Sequence, residues 1–163
     1  MKTFFQASAI ALSLIASAAS AQAVRTEKNM SLELANQIAA ATVAACATSN
    51  YNVTAAVVDR AGTLRALQRA DAAGPHTVAA SQAKAFTSAS ARNNTAAMLE
   101  SVQKNPGAQT LVDIPGFLVL GGGVPVRVGN EVIGAVGVAG APGGHLDEQC
   151  ANAALTKVAD LLK

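Results

Sequence analysis

An α+β domain, built on one antiparallel sheet of five strands flanked by helices, is the fold class this sequence predicts. Three observations carry it. The β-branched runs are joined by short turns, as in Asp59-Arg60-Ala61-Gly62 and Gly129-Asn130, the connection that antiparallel strands use. Helical spacing of apolar residues recurs before, between and after those runs. No repeated strand-helix-strand crossover is present, so a parallel sheet is not indicated. With 163 residues the chain is one domain long.

In chain order, Ser31 opens a segment in which Leu34, Ile38, Ala41 and Ala45 share a helical face, with Glu33 in the first turn where the helix dipole favours an anion. This helix is expected to run to about Thr48. Val53 to Val58 and Thr63 to Leu67 flank turn residues and read as a hairpin. Gly74-Pro75 precedes an alanine-rich helix from about Thr77 to Ala91, in which Ala79, Ala83, Phe86 and Ser90 lie on one side. Asn93-Asn94 breaks it, and a shorter helix over Thr95 to Gln103 ends before Pro106-Gly107.

Phe117 to Leu120 reads as the third strand, stopped by Gly121-Gly122-Gly123. Val124 to Val128 and Glu131 to Val138 follow as strands around Gly129-Asn130, where glycine at the first central position suits a type II′ turn. Gly134, Gly137 and Gly140 are unexpected inside and just after a strand; they mark the close approach of another backbone or of a ligand. Asp147 is placed to cap a last helix whose apolar stripe is Cys150, Ala154, Val158 and Leu161.

Residues 1–23 have the pattern of a secretory signal peptide: Lys2, an apolar stretch from Ala7 to Ala19, then small residues that predict cleavage after Ala21 or Ala23. The mature protein is expected in the periplasm or outside the cell, as a single domain over residues 31–163. The apolar stretch is shorter than the roughly 20 residues that span a bilayer, so no membrane insertion is expected once the leader is cut. Export allows Cys46 and Cys150 to join across about 100 residues. The alternative is two buried thiols that never meet.

Nucleic acid is not an expected partner. The formal charge is +2, no run of like charges occurs, and Phe86, Phe117 and Tyr51 are the only aromatics outside the leader. Hydrolase, zinc-protease, phosphate-loop and dinucleotide motifs are absent; the glycines at 134, 137 and 140 follow GxxGxxG spacing, which is not a dinucleotide fingerprint. Asp147-Glu148 is the only adjacent pair of acids, at a helix start where acids are expected for electrostatic reasons. The loop from Gly121 to Pro125 could offer N–H groups to an anion or could simply be a tight connection. Zinc needs about three protein ligands, which this chain does not cluster, whereas haem needs only one or two axial donors and an apolar slot. His76, His145, Met98 and Tyr51 are the candidate donors, with Lys84, Arg69 and Arg92 available for carboxylates.

The stretch LGGGVPVRVGNEVIGAVGVAGAPGGHLDEQCA, residues 120–151, resembles the signature of the GlcG/HbpS-type haem-binding proteins, a family that also includes the C-terminal domain of PduO. AAVVDRAGTLRALQRADAAGPHT and SQAKAFTSA are similar to that family's hairpin and second helix. The resemblance implies a profilin-like five-stranded sheet, haem as cofactor, and self-assembly into dimers or larger rings such as octamers. It implies His76 as axial metal ligand, Lys84 as a partner for a propionate, and Gly122 and Gly123 as part of the cofactor-binding loop. The acidic ExxE pairs of some relatives are absent, as no acid here is followed by another three residues on. The expected function is haem sequestration, degradation or sensing; the alternative is an enzyme or accessory factor that grips a small organic acid through Gly121 to Gly123 and Lys84 or Arg69.

Overall fold

Residues 23–163 are described by the structure, a computed structural model. The leader read over residues 1–23 therefore falls, but for Ala23, outside the described residues. The elements are α1 (Leu32–Ala47), β1 (Thr54–Asp59), β2 (Leu64–Arg69), α2 (His76–Ala91), α3 (Thr95–Lys104), a 3-10 helix (Pro106–Asp113), β3 (Gly123–Val128), β4 (Glu131–Ala139), α4 (Gly144–Lys157) and a last 3-10 turn (Ala159–Leu161).

The sheet has four strands in the order β2-β1-β4-β3, all antiparallel, which corrects the expectation of five. Phe117 to Leu120 is apolar enough for a strand, but local turn bonds (Phe117 N–H to Ile114 O, Leu120 N–H to Leu118 O) and two side-chain hydroxyls take up its backbone groups. The Leu118 N–H donates to Thr87 Oγ1 at 2.8 Å, and Leu120 O accepts from Thr95 Oγ1 at 2.7 Å. Groups bonded in this way do not join a ladder. The two hairpins fall where turn chemistry put them. Gly129 adopts φ +59° while Asn130 keeps a negative φ, matching the type II′ expectation.

Helices cover both faces of the sheet. One face packs under α1 and α4, where Ile38, Val57, Val126, Val136 and Ala151 belong to one buried cluster. On the other, α2 presses Ala85 and Ala89 onto Val58 and Ala135. All six residues of β1 are consequently buried, while β2, at the edge, exposes four of its six. Gly137 resolves the question its position raised: a Cβ there would collide with Ser81 O and the Ala85 amide of α2, so the neighbour is backbone. Cys46 at the end of α1 and Cys150 on α4 form a disulfide, with Cα atoms 5.2 Å apart and a separation of 104 positions in sequence.

Asp147 does not cap α4. The helix begins three residues earlier, at Gly144 with Gly143 as its N-cap, and Asp147 faces inward from the first turn. Among the described residues no helix is long and apolar enough to cross a membrane.

Candidate functional site

The starts of α2 and α4 lie on two sides of one cleft, and the loop from Ala139 to Gly143 forms a third. Its volume is about 340 Å³, and its walls include His76, Thr77, Ala80 and Lys84 from α2, Leu120, and Gly144 and Asp147 from α4. His76, Ala80 and Lys84 are spaced four apart, so they line up along one side of α2 from lip to floor.

At the lip, His76 is the first residue of α2 and is exposed. Its turn is held from below. The Thr77 hydroxyl donates to Gly74 O at 2.6 Å, which leaves Thr54 on β1 to donate to Thr77 Oγ1, also at 2.6 Å. The imidazole lies back over Gly74: a Cβ at that position would be 2.8 Å from Cε1 and 2.9 Å from Nδ1, but 3.9 Å from Nε2. Nε2 is therefore the ring nitrogen farther from the main chain, and among the described residues no side-chain hydrogen bond engages either nitrogen. An uncommitted imidazole beside apolar surface suits a metal that needs one axial donor.

At the floor, Lys84 is 2% exposed and Asp147 3% exposed. Lys84 Nζ donates to Asp147 Oδ2 and to Val138 O, each at 2.8 Å, and Asp147 Oδ1 accepts the Ala141 N–H at 3.0 Å. The pair thus ties α2, α4, the end of β4 and the cleft loop together. Burial pushes the Asp147 carboxyl above its usual range, against the opposing pull of the Lys84 hydrogen bond and charge, the Ala141 N–H and the His145 charge. Lys84, expected to meet a ligand carboxylate, already has an internal one. Two of its three N–H donors are committed, and the third is not.

Gly122 and Gly123 do not line the cleft. Gly122, at φ +117°, sits behind the ion pair, where a Cβ would be 2.8 Å from Asp147 Cβ and 3.0 Å from Lys84 Nζ. The Gly123 N–H donates to Thr95 Oγ1 at 2.8 Å, so that amide is not offered to an anion. His145 is exposed, with its ring folded over Gly143, and is not part of the cleft wall. Met98 is buried on α3, and Tyr51 borders a separate cavity beside Cys150. Arg69 donates to Ala73 O, and Arg92 is the left-handed residue that ends α2. Of the sequence candidates, His76 and Lys84 come together; Asp147, read as a cap, proves to be the third member of the site.

Residues 30–156 match the family described as "Haem degrading protein HbpS-like". The chain belongs to the HbpS-like family. Within the HbpS-like fold it is similar to Protein GlcG of Escherichia coli strain K12, 39% identical over 115 residues that cover 71% of this chain and 84% of that protein. It is also similar to the crystal structure of a double mutant of HbpS from Streptomyces reticuli, with TM-score 0.79 and 35% identity over 94% of this chain and 98% of that one. A PduOC:heme complex shares the fold, with TM-score 0.70 and 22% identity over 78% of this chain and 94% of that one.

Proposed function

We propose that this HbpS-like chain is an exported haem-binding protein, and that His76 would hold the haem iron through Nε2. The observation that carries the reading is the uncommitted imidazole at the lip of a cleft whose wall includes Ala80, Leu120, Ala139, Ala141 and Pro142. Family membership supports haem as the ligand, and one structural neighbour was solved as a haem complex. At about 340 Å³ and open to solvent, the cleft suits a flat group lying against it. Haem would supply iron as the redox-active centre. The chain's own residues do the rest: Thr54, Thr77 and Gly74 orient the imidazole, and the apolar wall excludes water from one side of the ligand. The N-terminal ends of α2 and α4, with the third Lys84 N–H, favour the carboxylates of the propionates.

Hemin titration of the purified protein tests this. A shifted Soret band in wild type that is lost in His76→Ala is the expected result. An unshifted wild-type spectrum overturns the haem reading, and an undiminished shift in His76→Ala overturns the ligand assignment.

The leader pattern and the disulfide support export, to be tested by fractionation of cells carrying the full chain. Exposed Val112, Ile114 and Leu120 support self-association, which sedimentation reads directly. A second reading, a small organic acid in place of haem, is favoured by one observation: two helix starts and a lysine border the same cleft. A carboxylate that raises the melting temperature where hemin does not would select it.

A further inference from the structure

α4 forms one wall of the cleft, yet it has little hydrophobic anchorage. The residues it buries are Asp147, Cys150, Ala151 and Ala154, with Leu155 only partly covered and Val158 just past its end. Small side chains remove little apolar area from water, so they hold a helix weakly. Glu148 ties its first turn to the start of α3 by accepting a hydrogen bond from Asn94 Nδ2, and two deeper ties hold the cleft-facing side. One is Asp147, which holds both Lys84 and the Ala141 N–H of the cleft loop. The other is the bridge from Cys150, one turn further on, to Cys46. The far end of that bridge is firm, because α1 buries Ala35, Ile38, Ala39, Thr42 and Cys46 completely.

The bridge also has an approach. Cys150, unlike Cys46, borders a surface cavity of about 180 Å³ between Tyr51, Leu146 and Gln149. Cys150 is 7% exposed and Cys46 is fully buried.

We propose that the Cys46–Cys150 disulfide is a redox-responsive latch for the cleft: oxidised, it holds the start of α4, Asp147 and the 139–144 loop in place; reduced, it lets that wall move while the sheet stays folded. The reductant is an external dithiol. Its thiolate attacks Cys150 Sγ, the S–S bond breaks, and Cys46 leaves as a thiolate that takes up a proton. The second thiol of the reductant then loses its proton and displaces Cys150 in turn, so two electrons pass to the protein and the dithiol becomes a disulfide.

Regulation of ligand binding rests on the haem reading; loosening of the wall does not. Hydrogen exchange on the full protein, oxidised and after dithiothreitol, reads the wall directly, with thiol counting to confirm the redox state. In the reduced protein the Ala141 and Asp147 amides are expected to exchange about a hundredfold faster, while β1 and β4 remain the slowest segments. Hemin affinity should fall about tenfold in the same samples. Equal exchange at Ala141 and Asp147 in the two forms overturns the latch. So does loss of protection by the wall and the sheet together in one step, or a bridge that dithiothreitol does not open in the folded protein. Failure of the oxidised protein to shift the Soret band removes the haem reading and leaves the exchange result standing.

Discussion

The starts of α2 and α4 are built from the same local pattern, and they do different things. Each has glycine two residues before a histidine: Gly74-Pro75-His76 and Gly143-Gly144-His145. Each ring folds over its glycine, with Cε1 and Nδ1 at 2.8 and 2.9 Å from where a Cβ would stand. Yet His76 lines the cleft and His145 does not. The anchors differ too. A chain of hydroxyls from Thr54 through Thr77 to Gly74 O pins the first turn to the sheet, whereas the second hangs on an ion pair and a disulfide. Local sequence sets how an imidazole leaves the chain; the packing of the helix decides what it faces.

Removing the covalent anchor should have the largest effect on stability. Replacing both Cys46 and Cys150 with Ala frees the unfolded chain of a closure across about 100 residues, which costs roughly 4–5 kcal/mol by chain-entropy arguments. Denaturant unfolding of the variant against the oxidised protein measures it. A loss under about 1 kcal/mol would mean that α4 is held mainly by its polar contacts.

The ion pair comes next. Either Lys84→Ala or Asp147→Ala leaves a buried charge without its partner and should cost about 3–5 kcal/mol, while Lys84→Met combined with Asp147→Leu should cost much less. The same unfolding curves decide between these outcomes. The raised Asp147 carboxyl adds a sign. As pH rises past the ordinary value of 3.8, the unfolded chain releases this proton before the folded one, so unfolding is favoured. The contribution of Asp147 is thus fully present below 3.8 and lost as pH climbs through the higher folded value. Wild type should lose stability relative to Asp147→Asn across that window, and a constant difference would show that burial does not govern this group.

The smallest change in stability separates the two turns most sharply. Gly74→Ala and Gly143→Ala should each push an imidazole off its glycine at a cost of about 1 kcal/mol. Gly74→Ala should weaken hemin binding by about tenfold and more than Gly143→Ala does, since both glycines line the cleft but only the first displaces a histidine that borders it. Equal weakening by both variants would mean that the position of the His76 ring does not set hemin affinity.

Much of the fold was legible because its signals are local. Alternation and turn chemistry located both hairpins, and helical spacing located four helices within a few residues. The fifth strand failed because an apolar run does not reveal whether its backbone will find a ladder or the hydroxyls of Thr87 and Thr95. At the site, His76 was legible from its place at a glycine-proline-to-helix junction. Asp147 was not, since acids are common in first turns and nothing marks a lysine 63 residues earlier as its partner.

By itself the sequence determined the elements, their antiparallel hairpins and a histidine at the head of the second helix, because these depend on side-chain periodicity and on backbone freedom at a few glycines. Only the tertiary structure decided that two helix starts share one cleft, that Lys84 and Asp147 close its floor, and that Cys46 and Cys150 lie within bonding reach. Those are contacts between residues far apart in the chain, and they arise only when both faces of the sheet are covered and a buried charge must find its counterpart.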